Sequence, residues 1–150
     1  MTTVPLQGTF DLPAHIRDEI VAHARTDVPY ETCGLLAAGP DGVVTGHWTV
    51  PNADRSMTWF RMDPKAQLGA MRAMDDADLE WCAIWHSHTH TEAYPSPTDI
   101  DQAQHWPGIV ALIVSLQDPE PILRAYDIAG GEVRERVLTV SGVSQPQGPR

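Results

Sequence analysis

His86, Ser87 and His88 fall within the run Ile-Trp-His-Ser-His-Thr-His-Thr-Glu-Ala-Tyr-Pro-Ser-Pro-Thr-Asp, which extends from Ile84 to Asp99. In an extended strand, side chains two apart share a face, so these two imidazoles can grip one metal ion. Asp99 follows after a loop long enough to fold back and offer a carboxylate oxygen. Two histidines and one carboxylate, with a fourth position left to water, form the donor set of catalytic zinc; a structural site usually fills that position with Cys or His. Ser96, three residues before Asp99, would sit beside the open position. Its hydroxyl could donate to the oxyanion that forms when water attacks a carbonyl. The same oxygen could instead cap a helix opened by Ser96-Pro97-Thr98-Asp99. The donor role is preferred here, because Thr98 could serve as the cap.

His90 continues the alternation but lies beyond the strand, where it is expected at the rim rather than as a ligand. His15, His23, His47 and His105 lack partner spacing and read as structural or surface residues. Hydrolysis also needs a base for the attacking water, and a carboxylate serves well. Glu31, at the start of an apolar segment, is one candidate; Glu92 and Asp101, nearer in sequence, are the others.

The elements that must position these groups can be read from periodicity and turn signals. Leu12 to Asp27 reads as an amphipathic helix, with Ile16, Ile20, Val21 and Ala24 on one face and Pro13 in its first turn. Cys33 to Ala38 and Val43 to Val50 read as strands flanking a Gly-Pro-Asp-Gly turn. Thr58 to Met62 suggests a short third strand. Asp63-Pro64 opens a second helix, whose buried stripe would be Ala66, Leu68, Met71 and Met74. Trp81 to His88 is a buried strand, Thr89 to Pro95 a loop, and a short helix runs from Ser96 to about His105. Strands are expected at Ile109–Leu116, Ile122–Ile128 and Val133–Val140. The pattern is α/β or α+β: a mixed sheet flanked by helices, in one domain over residues 1–140. Residues 141–150, rich in Gly, Pro, Gln and Ser, are expected to be a disordered tail.

A chain of 150 residues with 42% apolar content can bury a single core. Its formal net charge of −10 argues against nucleic acid and against an anionic membrane surface. The amino-terminal residues show no secretory signal and no stretch reaches membrane-spanning length, so a cytoplasmic protein is expected. Cys33 and Cys82 lie in apolar surroundings and read as reduced core thiols.

Glu31 ahead of Cys33-Gly34-Leu35-Leu36, then His86-Ser87-His88, then Ser96-Pro97-Thr98-Asp99, resembles the pattern of the JAMM (MPN+, or Mov34-type) metalloproteases over roughly residues 10–140. The resemblance implies that His86, His88 and Asp99 bind zinc, that Glu31 is the general acid/base, and that Ser96 helps stabilise the oxyanion. The chain carries no insertion of the kind that holds ubiquitin in eukaryotic members. It is more similar to small bacterial members, notably actinobacterial enzymes acting on ubiquitin-like sulfur-carrier proteins. That implies cleavage behind a carrier's Gly-Gly end, with release of cysteine or a short extension, and it leaves a homodimer open. Cleavage of another ubiquitin-like conjugate or a small amide, or a non-catalytic scaffold role, are the alternatives. Arg55 and Arg61 are candidates to meet a carboxylate on the tail or on the released cysteine.

Overall fold

A computed structural model describes residues 8–148. In chain order these form β1 (Thr9–Leu12), α1 (Ala14–Thr26), β2 (Cys33–Ala38), β3 (Val44–Val50), α2 (Pro64–Asp76), β4 (Glu80–His88), α3 (Pro97–Gln102) with a 3₁₀ turn at Ala103–His105, β5 (Val110–Ser115), β6 (Ile122–Ala129), β7 (Glu132–Val140) and β8 (Val143–Ser144). The strands make one mixed sheet in the order β1-β7-β6-β5-β4-β2-β3, with β8 also on β7. β4 with β5 and β1 with β7 are parallel; the other pairings are antiparallel. The expected mixed sheet with flanking helices is therefore the observed architecture.

The two faces of the sheet are covered separately. Ile16, Ile20, Val21 and Ala24 of α1 pack on Leu36, Trp85, Leu112 and Val114. Ala70 and Met74 of α2 pack with Cys33, Leu35 and Ile84, joined by Phe60 and Met62. Alternation along β4 thus sends Trp85 and Ser87 towards the α1 face, and Ile84, His86 and His88 towards the other. Gly34 makes this arrangement possible. A Cβ there would lie 2.2 Å from the Trp85 indole nitrogen and 2.8 Å from the Trp48 carbonyl oxygen. Trp85 donates to His47 Nε2 at 3.0 Å, which gives His47 a structural role.

Several expectations are corrected. Thr9–Leu12 is a strand, not the approach to a helix that starts at Leu12; only Phe10 and Leu12 are buried, and Pro13 turns the chain into α1. Leu68 is not part of the buried stripe of α2 but 52% exposed. It stands two residues from Ala66, on the opposite side of a helix of 3.6 residues per turn. Thr58–Met62 is not a strand: Met62 alone bridges Asn52, and the segment is held by side chains instead of a ladder. After residue 140 the tail is not featureless. Val143–Ser144 pair with β7, and the Gly148 N–H donates to the Glu135 carboxylate at 3.1 Å. Cys33 and Cys82 are buried and free, as expected.

Candidate metal centre

The polar end of β4 places His86 and His88 side by side, both almost fully buried. Their Nε2 atoms are 3.1 Å apart, and each lies 3.1 Å from Oδ2 of Asp99. Tetrahedral zinc, with bonds of about 2.0–2.1 Å, spaces its donors about 3.3 Å apart. Two imidazole nitrogens and a carboxylate oxygen at this spacing therefore fit a zinc-type cation in both chemistry and size. The ring orientations are set from outside the triangle. Nδ1 of His88 lies 2.8 Å from the Glu92 carbonyl, which can only accept, so Nδ1 carries a proton and Nε2 is the nitrogen turned towards the triangle. Phe60 stacks on His86 with centroids 4.5 Å apart.

Burial alone would raise the Asp99 pKa. The facing His86, hydrogen bonds from both imidazoles and the Ser96 N–H outweigh it, and hold the carboxyl well below the usual carboxylate range. For His88, burial favours the neutral ring, but Asp99, the Glu92 carbonyl and Glu31 together raise its pKa. Asp99 is thus held as a carboxylate against both imidazoles.

Ser96 is the N-cap of α3. Its Oγ accepts from the Asp99 N–H at 3.1 Å, while the Asp99 carboxylate accepts from the Ser96 N–H at 2.9 Å. The expectation that Thr98 would take the cap is therefore corrected. A hydroxyl that accepts through a lone pair still has its own proton to give, so capping leaves Ser96 able to donate. The reciprocal bond also fixes Asp99 on the histidines.

Glu31 arrives through strand register. Cys33 pairs with His86 in the antiparallel β2–β4 ladder, so continuing that register sets Glu31 opposite His88 on the same face. The extension is stitched on both sides. Ser87 Oγ accepts from the Thr32 N–H at 2.9 Å and meets Thr32 Oγ1 at 3.2 Å, while the Ser87 N–H donates to the Thr32 carbonyl at 3.0 Å. The Glu31 N–H donates to the Ser56 carbonyl at 2.9 Å, and Asn52 Nδ2 donates to the Glu31 carbonyl at 3.0 Å. A carboxylate oxygen of Glu31 lies within 4.8 Å of ring nitrogens on both histidines. Two carboxylates thus flank the pair, and Asp99, at 3.1 Å, is the one at ligand spacing. Glu31 is 4% exposed, and its Oε1 has no hydrogen-bond partner among the described residues. Burial pushes its pKa up to about 8, with His88 lowering and Asp99 raising it.

Not every candidate joins this cluster. His90 is exposed and pairs with Thr89 Oγ1. The Glu92 and Asp101 side chains are exposed, and only the Glu92 main chain reaches the site. The Thr89–Pro95 loop is tied down at several points. Thr89 Oγ1 donates to the Pro29 carbonyl, Ser115 Oγ to the Thr91 carbonyl, and Tyr126 to the Ala93 carbonyl. Ser87, Thr32, Asn52 and Phe60 are supporting residues that spacing did not single out. For Ser87, strand alternation was the available signal: it must face away from the two histidines, towards whatever holds Glu31. Burial pushes the Cys33 and Cys82 thiols up to about 12, which makes them inert packing groups.

The model of prokaryotic homologs of the JAB domain matches residues 13–129. The chain is similar to the CysO-cysteine peptidase of Mycobacterium tuberculosis, 45% identical over 130 residues that cover 85% of this chain and 88% of that one. It is 35% identical to the desampylase of Haloferax volcanii over 135 residues, covering 86% and 94%. A solved structure of a Desulfitobacterium hafniense protein superposes with a TM-score of 0.77 at 34% identity, covering 87% and 92%. On these similarities the chain belongs to the prokaryotic JAB-domain family.

Proposed function

We propose that the chain is a zinc-dependent peptidase that hydrolyses the amide after the C-terminal Gly-Gly of a ubiquitin-like sulfur-carrier protein, releasing cysteine or a short extension. The observation that carries the reading is the 3.1 Å triangle of His86, His88 and Asp99, with the buried Glu31 carboxyl near it, whose Oε1 has no hydrogen-bond partner among the described residues. Membership of the JAB-domain family makes the chain a hydrolase of the peptidase class. The similarity to a CysO-cysteine peptidase supports cysteine as the leaving residue.

His86 Nε2, His88 Nε2 and Asp99 Oδ2 would hold the ion. The chemistry zinc supplies in such a set is acidification of water towards pKa 7 and polarisation of a carbonyl. Glu31 takes the proton of the attacking water and returns it to the leaving amine; its burial lets the carboxyl hold a proton near neutrality. The Ser96 hydroxyl donates to the oxyanion. A Gly-Gly tail has no side chains and can lie extended along the loop around Asn52. Cytoplasmic cysteine or sulfur metabolism is the setting this reaction suits. Among the described residues no helix is long and apolar enough to cross a membrane.

Similarity to a desampylase favours a second reading, cleavage of a different ubiquitin-like conjugate by the same chemistry. The complete donor set and Glu31 weigh against a scaffold role. The test is to incubate the zinc-loaded protein with sulfur-carrier proteins of the same organism bearing a C-terminal cysteine or short extension, followed by intact-mass spectrometry. A chelator-sensitive mass loss right after Gly-Gly is expected. No cleavage by protein that holds one zinc would overturn the carrier reading and leave a hydrolase of other amides.

A further inference from the structure

The loop from Asn52 to Arg61 spends its polar groups on its own shape. Asn52 Oδ1 accepts from the Asp54 and Arg61 N–H groups, and Nδ2 donates to the Glu31 and Trp59 carbonyls. Asp54 accepts from Trp59 Nε1, and from Arg61 Nε and its terminal nitrogen at 3.0 and 2.8 Å. Ser56 Oγ accepts from the Thr58 and Trp59 N–H groups. Arg55 is the exception. Its backbone is in the left-handed region, φ 44°, and its exposed guanidinium is placed by the Tyr30 ring, with Cζ 4.5 Å from the centroid. Among the described residues its guanidinium has no hydrogen-bonded or ion-paired partner, its N–H alone donating to the Asn52 carbonyl at 3.1 Å, in a chain with 20 acidic and 10 basic residues. Stacking on an aromatic face leaves the N–H edge of a guanidinium free for a planar anion.

Its place relative to the chemistry is set by two covalent neighbours. Tyr30, which carries the stack, precedes Glu31. Ser56, which follows Arg55, accepts the Glu31 N–H at 2.9 Å. Arg55 therefore stands on the Glu31 side of the metal centre. Glu31 returns its proton to the departing amine, so the departing residue lies on that side too. A departing residue that ends its chain carries a free α-carboxylate, and a chain of net charge −10 needs a cation to hold it.

We propose that Arg55 is the receptor for that α-carboxylate, and so makes the enzyme select a single terminal residue over an extended or side-chain-linked leaving group. This rests on the carrier-peptidase reading above. Arg61, the loop's other cation, is committed to Asp54 and does not compete for the role.

The test uses one carrier protein ending in Gly-Gly-Cys, prepared with a free C-terminal carboxylate and with a C-terminal carboxamide. Wild type should cleave the carboxylate form with about tenfold higher kcat/KM, mostly through KM, as suits one charge-assisted contact near solvent. Arg55→Gln should bring the ratio of the two substrates close to one, and Arg55→Lys should restore part of it, because the charge remains. Arg72→Gln, on the exposed face of α2, should keep the full preference. Metal content and melting temperature report that each variant is folded and loaded. Equal cleavage of both substrates by wild type, or an unchanged ratio in Arg55→Gln, overturns the inference and leaves the peptidase standing. Cleavage of neither substrate removes both.

Discussion

Replacing Glu31 by Gln should stabilise the metal-free protein while stopping its chemistry. Burial disfavours the Glu31 carboxylate and pushes its pKa in the folded state up to about 8, against 4.5 for a freely solvated glutamate. The sign follows from linkage. A pKa raised by folding means that the native state keeps a proton which the unfolded chain loses, so the stability this provides is full below pH 4.5 and gone once the pH passes 8. A shift of that size corresponds to about 4–5 kcal/mol at 1.36 kcal/mol per pH unit. Glutamine is near-isosteric and never ionises, so it escapes this loss. In chelator, Glu31→Gln and wild type should have similar stability near pH 4.5. By pH 8 to 9 the variant should be more stable by about 4 kcal/mol, which is roughly 10 °C in melting temperature for a chain of this size. Urea melts at a series of pH values read this directly. Zinc should shrink the gap, because a nearby cation stabilises the Glu31 carboxylate. Turnover of the zinc-loaded variant should fall by about 10²–10⁴-fold with zinc stoichiometry unchanged. Parallel stability curves for the two proteins from pH 5 to 9 would refute the claim that burial strains Glu31, and full turnover would refute its role as base.

Three further perturbations separate the remaining roles. Ser96→Gly keeps a tolerated N-cap residue but has no side-chain donor, so kcat should fall by about 10²-fold with little change in melting temperature, and an unchanged rate would argue for capping alone. Ser87→Ala removes the tether to Thr32; calorimetry should show roughly 1–3 kcal/mol lost, zinc titration an unchanged affinity, and kinetics about a tenfold lower kcat. Loss of zinc binding in that variant would mean Ser87 supports the metal rather than Glu31. Asp99→Asn should weaken zinc by roughly 100-fold or more in a competition titration, whereas undiminished affinity would remove Asp99 from the donor set.

What could be read in advance depended on the range of the interaction. Alternation put His86 and His88 on one face because both lie on a single strand, and Asp63-Pro64 located α2 because caps are local signals. Glu31 could be placed only by the resemblance, since its position depends on the β2–β4 register, a pairing of residues far apart in the chain, such as Cys33 with His86. Separation along the chain also hid the Ser87–Thr32 tether and the packing of Phe60 on His86. β1 escaped notice because four residues give too little alternation to reveal a strand whose partner, β7, lies near the other end of the chain. The loop from 51 to 62 misled in the opposite sense: its apolar residues suggested a strand, but Asn52 and Asp54 supply the hydrogen bonds a ladder would have made.

His86, His88 and Asp99 together should hold one metal ion while Glu31 remains free to carry a proton. Crystals grown with zinc and measured on both sides of the zinc absorption edge test this most directly. One anomalous peak is expected, bonded to both Nε2 atoms and to Oδ2 of Asp99, with no bond to Glu31. A peak ligated by Glu31 in place of Asp99, or no peak between the histidines, would contradict it.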